Sequence, residues 1–397
     1  MGRFYRGVLV AESHLYHEVT RPRRHQANYH QGSAMVALKY ISSDSHVRED
    51  DDFKNMVPIE YRHRLPHKEK INGADYSVVE GRKKRRSDLA ESRINDDNLN
   101  RQFRSDPTGG RDISRRLEDH ARDNVVGEVI YPDGMLALMA SPDISFQMGV
   151  AKAYNDWVHG IFGKHPGKFA PAAILPTKDV PMAVEEVIRL KGMGFRVVSC
   201  PISVGDQAYR LPVYEPLWSI LEETGMVPSF HIFTGTKDHL PEGAGDEDYG
   251  GILSYMIEAM AEAIQPTAQL LSSGVPMRHP DMNFVMVECG GGWLAWVLYA
   301  LDEQYERKHM WIEPKLDMKP SEYFKRQGHV TFGDDPVALT NLEYTGEGAL
   351  LWGSDYPHDE GTFPHSEAVI DRIFQGLSEE TKRKIVFENA SNLYGFF

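Results

Sequence analysis

Eight short apolar runs recur along this chain, each ending in a polar cluster and most followed by a segment of helical periodicity. They begin at Val36, Val125, Phe169, Phe195, Val227, Asn283, Val330 and Ala349. These runs are apolar throughout rather than alternating with polar residues. A strand buried on both faces has that composition, and such strands belong to parallel sheets. Between them, helical patterns span Ser145–Phe162, Val180–Met193 (closed by Gly194), Tyr214–Thr224 (closed by Gly225), Gly251–Leu271 and Trp293–Arg307. Asp112 caps a further helix that starts at Ile113, and Ser366–Phe374 and Ser378–Asn389 close the chain. Strands alternating with helices imply parallel βαβ units, and eight such units close into a (β/α)8 barrel of the α/β class.

The domain boundaries follow from the same pattern. Residues 1–34, with Arg21, Arg23 and Arg24 among their arginines and four histidines (His14, His17, His25 and His30), lack sustained periodicity and read as an irregular arm. Residues 35–397 read as a single barrel domain. Within it, residues 53–112 form a long, polar insertion after the first strand, expected to fold over the barrel mouth as a lid. Its basic run, Lys83-Lys-Arg-Arg86, reads as a solvated loop rather than a phosphate site.

Charge and composition exclude several classes of function. A formal net charge of −14 argues against nucleic acid and anionic membrane surfaces as partners. No run of about 18 apolar residues exists, so no membrane span is expected. The two cysteines, Cys200 and Cys289, suggest no disulfide framework, and a cytoplasmic enzyme acting on a small molecule is the simplest expectation. The apolar content of Gly251–Leu271 makes that segment a candidate homodimer surface.

The polar clusters at the strand ends carry the chemistry. The first run ends in Asp44-Ser-His46, whose i and i+2 side chains point the same way from an extended segment. The fifth ends in Phe230-His231, the sixth in Val287-Glu288-Cys289 followed by Gly290-Gly-Gly292-Trp293, and the eighth in Ser354-Asp355-Tyr-Pro-His358. The C-terminal ends of barrel strands are where such enzymes place their reacting groups. Asp44, His46, His231 and Asp355 together offer two imidazoles and two carboxylates. That donor set suits one divalent ion, with zinc the first expectation and manganese, iron or cobalt compatible. Asp355, Glu288 and His358 are the candidate catalytic groups, the last two as proton carriers. The glycine run would let the backbone approach a ligand closely. Trp293, Tyr356 and Phe332 are candidates for lining a substrate pocket.

At these residues the chain resembles the amidohydrolase-related family that includes aminocarboxymuconate-semialdehyde decarboxylase. Ile41-Ser-Ser-Asp-Ser-His-Val47, Gly127-Glu-Val-Ile-Tyr-Pro132, Val330-Thr-Phe-Gly-Asp-Asp335 and Trp352-Gly-Ser-Asp-Tyr-Pro-His358 carry the resemblance, which runs in family order over residues 38–397. It implies a distorted (β/α)8 TIM barrel with one divalent metal, held by Asp44, His46, His231 and Asp355. Asp44 and His46 stand where other members often carry His-x-His. Glu288 stands where the family's decarboxylases carry a water-activating histidine. The expected activity is hydrolysis by metal-activated water on an aromatic or carboxylated substrate. The alternative is a non-oxidative decarboxylase of an aromatic or dienoic acid.

Overall fold

The computed structural model describes residues 38–80, 82–85, 109–235, 251–358 and 360–397. The arm at residues 1–34 therefore lies outside the described residues. Eight parallel strands form the barrel in chain order: β1 (Tyr40–Ser42), β6 (Val125–Pro132), β7 (Phe169–Ile174), β8 (Val197–Pro201), β9 (Val227–His231), β10 (Phe284–Val287), β11 (Gly328–Phe332) and β12 (Leu350–Trp352). A two-residue continuation, β2 (His46–Val47), pairs with the far end of β6. The barrel closes at the β12–β1 seam through backbone bonds beyond the strands. Ser43 N–H donates to Trp352 O at 2.9 Å, Asp355 N–H to Asp44 O at 2.9 Å and His46 N–H to Tyr356 O at 2.6 Å.

Strand alternation divides the core into two layers. Inward side chains such as Ile41, Val129, Val197, Val285 and Leu351 pack around Phe396, which plugs the N-terminal end of the barrel. Gly127 leaves room for it, because a Cβ at that position would stand 3.2 Å from the Phe396 ring. Outward side chains, including Val198, Phe230, Met286 and Trp352, pack under the surrounding helices.

Three features depart from the sequence expectation. The single helix expected over Gly251–Leu271 is two helices, Gly251–Ala261 and Ile264–Ser272. Pro266 explains the break, since it has no N–H for the carbonyl of Glu262 and its ring crowds that carbonyl. The insertion is not loop throughout. It contains the helix Asp51–Met56 and a three-stranded antiparallel sheet of β3 (His67–Ile71), β4 (Ala74–Val79) and β5 (Arg82–Arg85). The basic run expected as solvated loop supplies β5, and its Lys83 Nζ donates to Glu69 at 2.6 Å. Finally, the closing helix over Ser378–Asn389 is interrupted by a π-helical segment, Lys384–Glu388, before Asn389–Tyr394. Arg64 ties the insertion to the loop after β6, pairing with Glu80 and with Asp143 (2.7 Å), while Ser141 Oγ donates to Glu80 at 2.9 Å.

Candidate metal centre

The strand ends bring six ligand-type atoms to one point at the C-terminal mouth. His46 and His231 each donate Nδ1–H to a backbone carbonyl, Pro132 O and Ile232 O, both at 2.9 Å. Those bonds fix the tautomers and leave each Nε2 facing the barrel axis. His46 Nε2 lies 3.6 Å from Asp44 Oδ1, 3.2 Å from Asp355 Oδ1 and 3.7 Å from Glu288 Oε2. His231 Nε2 lies 3.7 Å from Asp44 Oδ1 and 3.2 Å from Glu288 Oε2. His358 Nδ1 approaches Asp355 Oδ1 at 2.8 Å, and its ring stacks on His46 with centroids 4.1 Å apart.

Close as they are, these six atoms are misaligned for hydrogen bonding, and none has a hydrogen-bond partner of acceptable geometry. Burying a polar atom without a partner costs roughly 1–3 kcal/mol, so six at one point call for a common partner. Metal–ligand bonds of about 2.0–2.2 Å put neighbouring ligand atoms about 3.0–3.5 Å apart. Most of the observed separations fall within or just beyond that range. Ligand atoms of Asp44, His46 and His231 lie within 4.8 Å of one another, as do those of His46, Asp355 and His358. The residues present therefore fit a divalent cation.

The ring has a floor and a rim. Asp44, His46 and His231 are buried, whereas the side chains of Glu288, Asp355 and His358 keep 15–19% of their surface exposed. Both Glu288 (φ 58°) and Asp355 (φ 55°) adopt left-handed backbone, which turns each strand end over the mouth. Burial pushes the Glu288 carboxyl well above the usual carboxylate range, and the Asp355 and Asp44 carboxylates add to the effect. Burial would also raise Asp355, but the His358 and His46 rings beside it hold it down at about 2. At His358 burial works against the charged form, yet the carboxylates of Asp133 and Asp355 raise it to about 11.

Two pocket candidates point elsewhere. Thr331 faces the site, accepting the Glu288 N–H at 2.8 Å and donating to Asp44 Oδ2 at 3.4 Å. By alternation Phe332 faces outward, and it packs in the layer beneath the helices. Tyr356 likewise follows an inward Asp355, and its hydroxyl donates to Asp119 at 2.8 Å on the helix outside the barrel. Trp293 is half-buried, and its indole N–H donates to Gly290 O at 2.9 Å. The glycine run serves packing within the protein. A Cβ on Gly291 would meet Ala338 at 2.8 Å and one on Gly292 would meet Val337 at 2.9 Å, while both N–H groups donate to Asp335.

Thr331 and Asp133 are the site residues that sequence reasoning missed. Thr331 was accessible in principle, as the polar residue at the inward position nearest the C-terminal end of β11. Asp133, 3.8 Å from His358 Nε2, sits in a loop with no such signal.

A parallel barrel with candidate metal ligands gathered at its C-terminal mouth has the architecture of an enzyme. Residues 104–396 match the family model described as Amidohydrolase, and the chain belongs to that family. It is similar to the gamma-resorcylate decarboxylase of Rhizobium sp. (strain MTP-10005), with 24% identity over 277 residues, 65% of this chain and 80% of that protein. An amidohydrolase from Mycobacterium avium subsp. paratuberculosis shares the fold at a TM-score of 0.70 and 19% identity, over 91% of this chain and 98% of that one. A dihydroxybenzoic acid decarboxylase from Polaromonas sp. does so at 0.62 and 17% identity, over 90% and 97%. That structure holds manganese and the inhibitor 2-nitroresorcinol. The expectation of hydrolysis is corrected by these likenesses, because the activity named for the similar curated protein is a decarboxylation. No helix among the described residues is long and apolar enough to cross a membrane.

Proposed function

We propose that this chain is a metal-dependent, non-oxidative decarboxylase of a small hydroxylated aromatic acid. The observation that carries the reading is the ring of six donor atoms without a hydrogen-bond partner, in a chain similar to a gamma-resorcylate decarboxylase over 80% of that protein's length. Asp44, His46, His231 and Asp355 would hold the ion, and their mixed donor set accepts manganese as readily as zinc. A divalent ion there would supply Lewis-acid stabilisation of the substrate's oxygen charges.

The protein's own groups handle orientation and the proton. Thr331 steadies Asp44 and the backbone of Glu288. As the bond between ring carbon and carboxyl group breaks, CO2 departs and the electron pair stays on the ring carbon. That carbon then takes a proton from Glu288, whose burial favours the protonated carboxyl. His358, held between Asp133 and Asp355 at the rim, returns a proton to Glu288 from solvent.

The test is to load purified protein with manganese or zinc and incubate it with hydroxybenzoic acids, 2,6-dihydroxybenzoate among them. The expected result is CO2 release, with one deuterium at the vacated ring position when the reaction runs in D2O. A metal-loaded protein that hydrolyses esters or amides of these acids and releases no CO2 overturns the reading.

A further inference from the structure

We propose that Arg116 is a positioning residue for the metal centre, a buried guanidinium that fixes the backbone bearing His46 and backs the segment bearing Asp355. The inference rests on the metal-dependent reading above. Arg116 lies on the helix Ile113–Arg122, outside the barrel and fully buried against β6 and β2. Its Nε and Nη2 grip both oxygens of Glu128, the Nη2–Oε2 contact measuring 3.0 Å. Its Nη1 donates to two carbonyls, His46 O at 2.9 Å and Gly110 O at 2.8 Å. The Tyr356 ring lies 4.8 Å from its Cζ. One side chain thus touches the segments of two metal-ligand residues and the end of the insertion.

The use of a charge here needs a reason beyond stability. A buried ion pair seldom stabilises more than well-packed apolar residues of the same volume would. What an apolar pair could not do is hold the His46 carbonyl. The His46 N–H already donates to Tyr356 O, and its Nδ1 to Pro132 O. Arg116 takes the remaining backbone group, so every polar group of His46 except Nε2 is fixed by the protein. The ring of donor atoms then needs little rearrangement to receive an ion. Gly110 is pressed onto the same two segments, since a Cβ there would stand 3.0 Å from Pro357 and 3.5 Å from Arg48. Lysine could oppose Glu128 but could not also reach two carbonyls, because its ammonium lacks the planar fork.

Two variants separate positioning from stability. R116K keeps a cation opposite Glu128 and loses the fork. E128Q keeps the fork and leaves the guanidinium without its counter-charge, so it should melt at the lower temperature of the two. The proposal expects R116K to bind Mn2+ about 10- to 100-fold more weakly than wild type, and its Co2+-loaded form to show a shifted visible absorption band. E128Q should keep its Mn2+ affinity within about threefold, since its contact to His46 remains. Native affinity and an unshifted Co2+ band in R116K overturn the proposal, as does metal affinity that simply follows melting temperature across the variants. Should R116K fail to fold, Gly110→Ala carries the test, a shifted Co2+ band supporting the proposal and a native one overturning it. Metal binding is read without substrate. A wild-type protein that binds metal but releases no CO2 therefore refutes the decarboxylase reading alone, and native metal binding in R116K refutes only the role of Arg116.

Discussion

Gly353→Ala offers the sharpest test of how the centre is held together. Gly353 follows β12 and leads to Asp355, and a Cβ there would stand 2.6 Å from Asp44 Cβ, 3.2 Å from Asp44 N and 3.4 Å from Asp44 Cα. Carbon atoms pack comfortably at about 3.5–4.0 Å, so the substitution asks for about 1 Å of separation. None of the atoms met belongs to a flexible side-chain end. The contact is also flanked by two seam bonds, Ser43 N–H to Trp352 O and Asp355 N–H to Asp44 O, both 2.9 Å. Relief must therefore come from opening the β12–β1 seam, which separates Asp44 from Asp355. Overpacking of this kind costs about 1–3 kcal/mol of stability, while a 1 Å misplacement at a reacting centre costs about 100-fold in rate. The variant should fold, bind metal at least about tenfold more weakly and lose about two orders of magnitude in CO2 release. Gly348→Ala is the control, because a Cβ there meets nothing within 4 Å, and it should change stability by less than about 0.5 kcal/mol. Calorimetric melting, metal titration and a CO2 assay read the outcome. Wild-type metal affinity and turnover in Gly353→Ala would refute the claim that the seam sets the ligand ring.

Other consequences follow from the same geometry. Phe332→Leu should cost about 1 kcal/mol in urea unfolding and leave kcat/KM unchanged, because the ring faces the helices; a tenfold loss of activity would return it to the pocket. Glu288→Gly should abolish CO2 release yet raise the melting temperature of the metal-free protein, by the equivalent of about 1 kcal/mol, since it relieves left-handed strain at φ 58° and a buried carboxyl. A lower melting temperature contradicts that account. Burial would raise the Glu128 carboxyl, but Arg116 and His120 outweigh it and hold the group at about 2, below its ordinary 4.5. A depressed acid adds stability above its unfolded value and loses it as pH falls. Wild type should therefore lose about 3 kcal/mol relative to E128Q between pH 5 and pH 2, and parallel stability curves would show that the pair is not ionised. Treatment with a strong chelator should remove activity, and Mn2+ should restore it in wild type but not in His231→Ala, as followed by CO2 release.

The barrel was legible because buried parallel strands are apolar on both faces, and each of the eight runs became a strand with ends shifted by a few residues at most. Helix stops were legible where glycine made them, at Gly194 (φ 90°) and Gly225 (φ 65°). The meander of β3, β4 and β5 was not, since β3 and β5 are strongly polar and only β4 alternates, with Ala74, Tyr76 and Val78 between Asp75, Ser77 and Val79. Its turn nevertheless had a signal, as Asn72-Gly73 is the pair a tight hairpin favours, and both residues take positive φ. The four expected metal ligands come together because any residue type that binds metal at a strand's C-terminal end is brought to the mouth. Pocket residues were harder, because a strand end offers alternate residues to opposite faces. Choosing aromatic residues by proximity in sequence selected Phe332 and Tyr356 on the wrong face, while the inward Thr331 between apolar neighbours was passed over. Glu128 carried an unread signal too, as a carboxylate in a buried strand requires a partner, and Arg116 stands only twelve positions earlier.

The division of the centre into floor and rim bears on where its chemistry is decided. The floor is over-determined. His46 is held by Pro132, Tyr356 and Arg116, and His231 by Ile232. Beside Asp44, Ser42 bonds to both Ser354 Oγ and the Asp44 carbonyl. A substitution there disturbs several bonds at once and acts first on whether an ion is held. The rim is different. Glu288 and Asp355 sit on strained left-handed backbone, and His358 reaches the ring from a turn. These three have the exposure to meet a substrate, and their proton affinities are shifted by burial and by the charged neighbours around them, one another and Asp133 included. The reaction should therefore respond to rim substitutions while metal affinity responds to those in the floor, with Asp355, both ligand and rim, affecting the two together.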